Sequence, residues 1–263
     1  MRVRAVVVLL SLAACASASV VPAAARPAAR AASGGTTFSH VVVDGGKDVV
    51  LGLTTRRTVT IGWTAEDPDG VAASWAYLWH GPDTDDADGI LPLYPPAGRC
   101  AAASADRTTV TCEVSFVVDP ARDLRHDNLA GTWKVLASAQ DEGDDWTETD
   151  VAGTTRLQRL AKVTVNASPE PVKKGRTLTV TGGLTRADWE RGGYGGYQGQ
   201  SVRLQFRKKG SSAYTTLKTV RSGSRGVLRT TTVARTDGYF RFLFPGTATT
   251  GPATAAGDFV DVR

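Results

Sequence analysis

Three runs of carboxylates hold most of the chemical capacity of this chain. They are Asp67 and Asp69; Asp83, Asp85, Asp86 and Asp88; and Asp141, Glu142, Asp144 and Asp145. Carboxylates brought close together must neutralise, repel one another or share a cation. Ca2+, which takes about six to eight oxygens at roughly 2.3–2.6 Å in flexible geometry, is the natural guest. Acid–base catalysis is disfavoured, because acidic clusters on loop tips lack the buried pocket that would split their pKa values. There is no Gly-x-Ser-x-Gly elbow, no His-Glu-x-x-His and no phosphate-cradling glycine loop.

The run from Asp83 to Gly89 resembles a calcium loop of the Asp-x-Asp-x-Asp-Gly type with one residue inserted. The insertion puts Ala87 where a ligand belongs. The twelfth position falls on Tyr94 or Pro95, where an EF-hand needs a bidentate Glu. A solvated turn, rich in Asp and Gly because those residues tolerate turn geometry, is the other reading of either cluster.

Sulfur points to a staple. Cys100 and Cys112 lie symmetrically about Asp106, and Ser104 to Arg107 read as a turn, so an antiparallel hairpin would set the two thiols opposite each other with Arg99 diagonally near Glu113. A disulfide there contributes on the order of 3 kcal/mol by the chain-entropy estimate. Zinc would want four ligands, and His40, His80 and His126 are scattered singly.

Charge divides the chain near residue 160. Residues 36–160 carry 10 Lys/Arg against 20 Asp/Glu, whereas residues 161–263 carry 17 against 6. The net charges, −10 and +11, mean that the overall pI describes neither half and gives no argument for nucleic acid. Residues 1–35 read as a signal peptide and flexible N-terminal segment: Arg2 and Arg4, an apolar run from Val6 to Leu12 too short to span a bilayer, and small residues at Ala23 to Ala25. The protein is expected to be secreted, with no transmembrane segment. Alternatively, Leu12 to Cys15 resembles a lipobox, and a lipid on Cys15 would anchor the chain to the outer membrane face.

The elements that must position these groups are strands. Apolar residues fall in short β-branched runs with turn signals between them and no sustained 3.6 period. In the acidic half we expect strands from Phe38 to Val43, Val49 to Leu53, Thr58 to Thr64, Ser74 to His80, Thr108 to Val118, Gly131 to Ala139 and Gly153 to Leu160. Trp63, Trp75, Trp79 and Trp133 read most simply as core, with sugar-stacking the other role such rings can play. The basic half starts again without a flexible linker, which implies close coupling. Its strands are expected at Thr177 to Gly182, Ser201 to Lys208, Thr215 to Arg221, Val227 to Arg235, Tyr239 to Phe244 and Asp258 to Val262, with Val202, Leu204 and Phe206 facing Leu178, Val180, Phe240, Phe242 and Phe244. The fold expected is all-β: two tandem immunoglobulin-like sandwiches, residues 36–160 and 161–263.

Two phrases, Thr64 to Val71 and Gly131 to Gly143, resemble the strand ends of bacterial immunoglobulin-like domains. In that fold they form the B–C loop and the F strand entering the F–G loop, which lie at one end of the sandwich. The resemblance implies that Asp67 and Asp69 converge on Asp141, Glu142, Asp144 and Asp145 to hold Ca2+, while Asp83 to Asp88 lie at the opposite end. Leu204 to Gly210, Tyr214, Asp237 to Phe240 and Ala256 to Val262 resemble sandwich modules of exported proteins from high-GC Gram-positive bacteria. Together with Asn166 to Gly175 at the junction, the mature chain is similar to a family of secreted two-domain proteins from such bacteria, often labelled calcium-binding. The motifs are structural and carry fold more than function.

Between the first strands of the basic half lies a loop of glycines and rings containing Trp189, Tyr194 and Tyr197. It offers flat apolar area for stacking a sugar, or folds back onto the sandwich. Two functions follow. One is a non-catalytic secreted or cell-surface protein, a monomer stabilised by Ca2+, whose basic domain contacts anionic cell-wall polymers through residues such as Lys173, Lys174, Arg207, Lys208 and Lys209. The other is a carbohydrate-active enzyme or carbohydrate-binding module using the aromatic loop near Trp189. Nucleic acid is not an expected partner.

Overall fold

The computed structural model of the protein describes residues 35–263. Cys15 and the expected signal segment up to residue 34 lie outside the described residues. Alternating burial builds the first sandwich. One sheet runs β1 (Thr37–Val43), β3 (Arg57–Glu66), β7 (Thr109–Val118) and β6 (Arg99–Ala102); the other runs β2 (Val49–Leu51), β9 (Trp146–Arg159), β8 (Gly131–Asp141), β4 (Val71–His80) and β5 (Gly89–Leu91). Val59, Ile61, Trp63 and Ala65 of β3 turn inward with Val110, Cys112, Val114 and Phe116 of β7, against Leu78, Trp133 and Val135 from the other sheet. Burying each large side chain stabilises by about 1.5–3 kcal/mol, provided its polar atoms find partners. They do: the Trp63 indole N–H donates to Ser74 Oγ at 2.9 Å, and that of Trp133 to the Leu129 carbonyl at 2.7 Å.

Trp63 and Trp133 are core as expected; Trp79 is buried, but on the outer face of its sheet beneath Lys134, and Trp75 is not core. It points to the outer face of its sheet, where it stacks at 5.0 Å on Trp146, itself 60% exposed. Strand alternation is the reason: Ser74 and Ala76 take the inward positions of β4, so Trp75 between them must face out.

The hairpin of β6 and β7 pairs Cys100 with Cys112 directly, and the two are disulfide-bonded. Arg99 pairs directly with Glu113, one register position closer than expected. At the turn the Ser104 hydroxyl, followed by the Thr108 N–H, holds the Asp106 carboxyl below its usual pKa.

The second sandwich repeats the architecture. One sheet holds β10 (Ala161–Val163), β11 (Asn166–Ser168), β12 (Thr177–Asp188), β13 (Gly193–Gly196) and β16 (Val227–Val233); the other holds β14 (Ser201–Lys208), β15 (Thr215–Arg221), β17 (Gly238–Phe244), β18 (Ala253–Thr254) and β19 (Asp258–Val260). Leu178, Val180, Val202, Leu204, Phe240, Phe242 and Phe244 form its core, with Phe206 partly buried against it. The protein is thus two tandem immunoglobulin-like β-sandwiches.

Leu160 alone separates β9 from β10, and the described residues, 35–263, belong to one compact unit. The long strand β12 carries Ala187, and Trp189 just beyond its end, into the core of the first sandwich. Trp189 donates its indole N–H to the Gly52 carbonyl at 2.9 Å and its backbone N–H to Asp127 Oδ1 at 2.8 Å. Asp127 Oδ2 pairs with the buried Arg159 guanidinium. Nearby, burial first and then the Arg159 charge pull the Arg186 pKa down. Across the junction the backbone is also tied, with Arg159 N–H to the Thr249 carbonyl and Gly251 N–H to the Arg159 carbonyl, both at 3.0 Å. Such directional bonds fix one orientation where apolar contact alone would allow sliding.

Candidate metal centre

Because β4 and β8 are neighbours, the turns at their ends meet. Val71 opens β4 opposite Asp141, the last residue of β8. The β3–β4 turn reverses through Asp67-Pro68-Asp69-Gly70. Gly70 N–H bonds to the Asp67 carbonyl at 3.1 Å with Gly70 at φ +90°, a conformation that suits glycine. The β8–β9 turn closes with Asp141 N–H to the Asp145 carbonyl at 3.0 Å, and Glu142 N–H crosses to the Gly70 carbonyl at 2.9 Å. This last bond locks the two turns together.

Asp67, Asp69 and Asp141 emerge with one carboxylate oxygen each all within 4.8 Å of one another. Asp67 is 3% and Asp141 6% exposed. Asp67 Oδ2 accepts the Thr36 hydroxyl at 2.7 Å, and its Oδ1 accepts the Asp69 N–H at 2.9 Å. Asp141 Oδ1 takes the N–H groups of Gly143 and Asp145 at 2.7 and 2.9 Å. These bonds orient the carboxylates without neutralising them. The set is all-oxygen and acidic, the donor type hard cations take, and the cluster could hold a metal ion.

Asp144 and Asp145 share the β8–β9 turn but are exposed and stand outside this group of three. Asp144 Oδ1 accepts from Gln140 Nε2 at 3.1 Å. Glu142 faces Arg107 at 3.7 Å.

Two neighbours went unnoticed in the sequence. Thr36 carried no signal beyond its place at the edge of the expected tail. Arg107 belongs to the disulfide hairpin, whose turn lies against the same end: Asp67 N–H bonds to the Thr108 carbonyl at 2.9 Å and Val71 N–H to the Arg107 carbonyl at 3.0 Å. The Arg107 Nε donates to the Val71 carbonyl at 2.8 Å. Only the register of β3 on β7 brings that turn here.

Asp83, Asp85, Asp86 and Asp88 are all exposed. Asp83 Oδ1 accepts the Asp86 N–H at 2.8 Å, while Asp88 is taken by His80 on one oxygen and by Asn128 Nδ2 at 3.0 Å on the other. A cation from the protein already serves this loop, since Lys134 Nζ donates to the Gly81 and Pro82 carbonyls at 2.7 and 3.2 Å.

The rings of the glycine-rich loop are engaged by the protein itself. Trp189 is 7% exposed, Tyr194 lies under Lys162 Nζ at 3.6 Å, and Tyr197 lies under Arg186 at 4.0 Å and against Phe244 at 5.8 Å. The loop folds back because β13 pairs with β12 and delivers Trp189 to the junction.

No protein-family model matches the chain, and no curated protein does. Among solved structures, the fibronectin(III)-like modules of CbhA from Clostridium thermocellum align over 84% of this chain and 92% of theirs, at 12% identity and a TM-score of 0.36. The full ectodomain of mouse nectin-like molecule 4 aligns over 85% of this chain, at 16% identity and a TM-score of 0.29; this chain spans 64% of that one's length. At these scores neither likeness bears on function.

Proposed function

We propose that this is a non-catalytic, exported protein whose first sandwich binds Ca2+ through Asp67, Asp69 and Asp141 and whose second contacts anionic cell-wall polymers. The observation that carries the metal is burial: two carboxylates, 3% and 6% exposed, whose ligand oxygens lie within 4.8 Å of each other and of Asp69. Like charges so placed favour a cation between them. Arg107 of the hairpin turn spends its Nε on the Val71 carbonyl and leans toward Glu142.

The polymer contact is supported by the unspent charge of the second half. Among the described residues, no Lys or Arg of the second sandwich pairs with an Asp or Glu of the first; the one ion pair that crosses, His126 with Glu190 at 4.0 Å, draws its acid from the basic half. The +11 of the second half is therefore not neutralised internally.

A sugar-cleaving site would need the Asp67–Asp141 cluster at the floor of a cleft shared with Trp189. Trp189 bonds to Asp127, just before β8, whereas Asp141 ends it; the strand's 11 residues hold them about 33 Å apart at roughly 3.3 Å per residue. That separation favours the binding reading. Calorimetric titration with Ca2+ tests the site: Asp67→Asn with Asp141→Asn should abolish heat uptake, and Asp85→Asn with Asp88→Asn should leave it. The reverse pattern would move the site to the Asp83–Asp88 loop.

A further inference from the structure

The outward face of the sheet formed by β14, β15 and β17 carries guanidinium groups interleaved with rings. Arg207 lies 4.0 Å over the Tyr239 ring and 5.3 Å from that of Tyr214, and Arg241 lies 3.6 Å over Tyr214. Tyr239 continues to Phe259 at 5.2 Å, and Lys209 reaches that ring at 5.4 Å. The guanidiniums are also held in plane: Arg241 Nε donates to Gln205 Oε1 at 2.9 Å and Arg207 Nη1 to the Ser211 carbonyl at 2.6 Å. Gly257 makes room for this arrangement, since a Cβ there would stand 2.3 Å from the Tyr214 hydroxyl oxygen.

Arg203, two residues before Gln205 on β14, shares the face by strand alternation and is exposed. Among the described residues, Arg203, Arg207 and Arg241 have no carboxylate within ion-pair distance. A row of like charges adds nothing to folding, and fixing it with rings and an amide spends interactions on orientation. The bonds to Ser211 and Gln205 take one N–H of Arg207 and one of Arg241, and a guanidinium carries about five, so each keeps further donors.

We infer that this face binds a carboxylated polysaccharide, with the edges of Arg203, Arg207 and Arg241 taking successive sugar carboxylates. The inference rests on the reading of the second sandwich as the polymer-contacting half. Positive charge without compensating acids favours an anionic partner. Planar forks match planar carboxylates two bonds at a time, which a lysine patch does not do. Cations spread along two strands suit a chain better than one small anion. Single-stranded nucleic acid would need open ring faces for its bases, and Tyr214 and Tyr239 are already covered by guanidinium.

The test measures binding of the protein to immobilised polygalacturonate at low salt, with single-stranded DNA of matched charge and purified cell wall alongside. Arg207→Gln with Arg241→Gln should weaken the Kd for polygalacturonate about tenfold or more. Arg207→Lys with Arg241→Lys, which keeps the charge and loses the fork, should also weaken it severalfold. Arg229→Gln should leave it within about twofold, because that exposed arginine stands on β16 in the opposite sheet, outside the row. Melting temperatures of all variants establish that they fold, and the lysine pair decides the matter if the glutamine pair does not. Unchanged binding in both arginine variants, or tighter binding to DNA than to polygalacturonate, would overturn the inference. Binding to cell wall but not to polygalacturonate would overturn it while leaving the proposed function standing; binding to neither would remove both.

Discussion

In the first sandwich two tight turns bring Asp67, Asp69 and Asp141 within 4.8 Å, whereas in the second Arg203, Arg207 and Arg241 stand along two strands with rings between them. The same fold thus handles charge in two ways. Strand ends converge, so turns can concentrate ligands on a point, which suits an ion. A sheet face is flat and periodic, so it can repeat a group at intervals, which suits a chain. Burial separates them further. Two of the carboxylates are almost fully enclosed, while the arginines lie half-buried or exposed with their charged heads able to reach water. What joins the halves is neither charge pattern but the Trp189, Asp127 and Arg159 junction.

That last point gives the largest predicted effect. Asp127→Ala leaves the buried Arg159 without its carboxylate, and Arg159 Nε already lacks a partner. Removing one member of a buried pair costs about 3–5 kcal/mol, so we expect a lowered melting temperature and separate unfolding of the two halves by calorimetry. A single unshifted transition would mean that the sandwiches do not depend on this joint.

Next comes the staple, which belongs to the first half only. Cys100→Ser with Cys112→Ser should destabilise the first sandwich by about 3 kcal/mol and leave the second intact in denaturant unfolding. Because the hairpin turn lies against Asp67, any Ca2+ affinity should fall too. Retained affinity would detach the staple from the site.

The smallest effect is alkaline. Burial first, and then Glu148 and Asp150, push the Tyr77 pKa above 10.0. A tyrosine whose folded pKa is raised stabilises the fold below its unfolded pKa and loses that contribution as pH climbs through the folded value. The loss therefore falls above about pH 10. Glu148→Gln with Asp150→Asn should bring the Tyr77 titration back toward the ordinary value in ultraviolet titration, and no movement would mean burial alone sets it.

Much of the fold was legible in residue patterns because strands alternate and turns are marked. Val59, Ile61 and Trp63 announced β3, and the symmetry of Cys100 and Cys112 about Asp106 announced the hairpin. Short edge strands such as β5, β10 and β18, of two or three residues, offered no period to count. Asp67, Asp69 and Asp141 were named from the sequence; their burial, and the part of Thr36 and Arg107, depend on pairings between distant strands. Trp189 was legible as an aromatic in a glycine loop but not as a joint, since its partners Gly52 and Asp127 lie 137 and 62 positions away. The arginine face was hidden for a related reason: Arg207 comes from β14, Tyr214 from the loop after it and Tyr239 and Arg241 from β17, and only the register of β14 on β17 interleaves them.

The central claim, a point site for Ca2+ in the first sandwich, is tested most directly by melting the protein in Ca2+ and again in excess chelator. At about 100 times its Kd, Ca2+ bound only to the folded state should stabilise by roughly 2.7 kcal/mol. Asp67→Asn with Asp141→Asn should erase that gain while raising the stability of the metal-free protein, because it relieves repulsion between carboxylates. Identical melts with Ca2+ and with chelator in the unmutated protein would contradict the account.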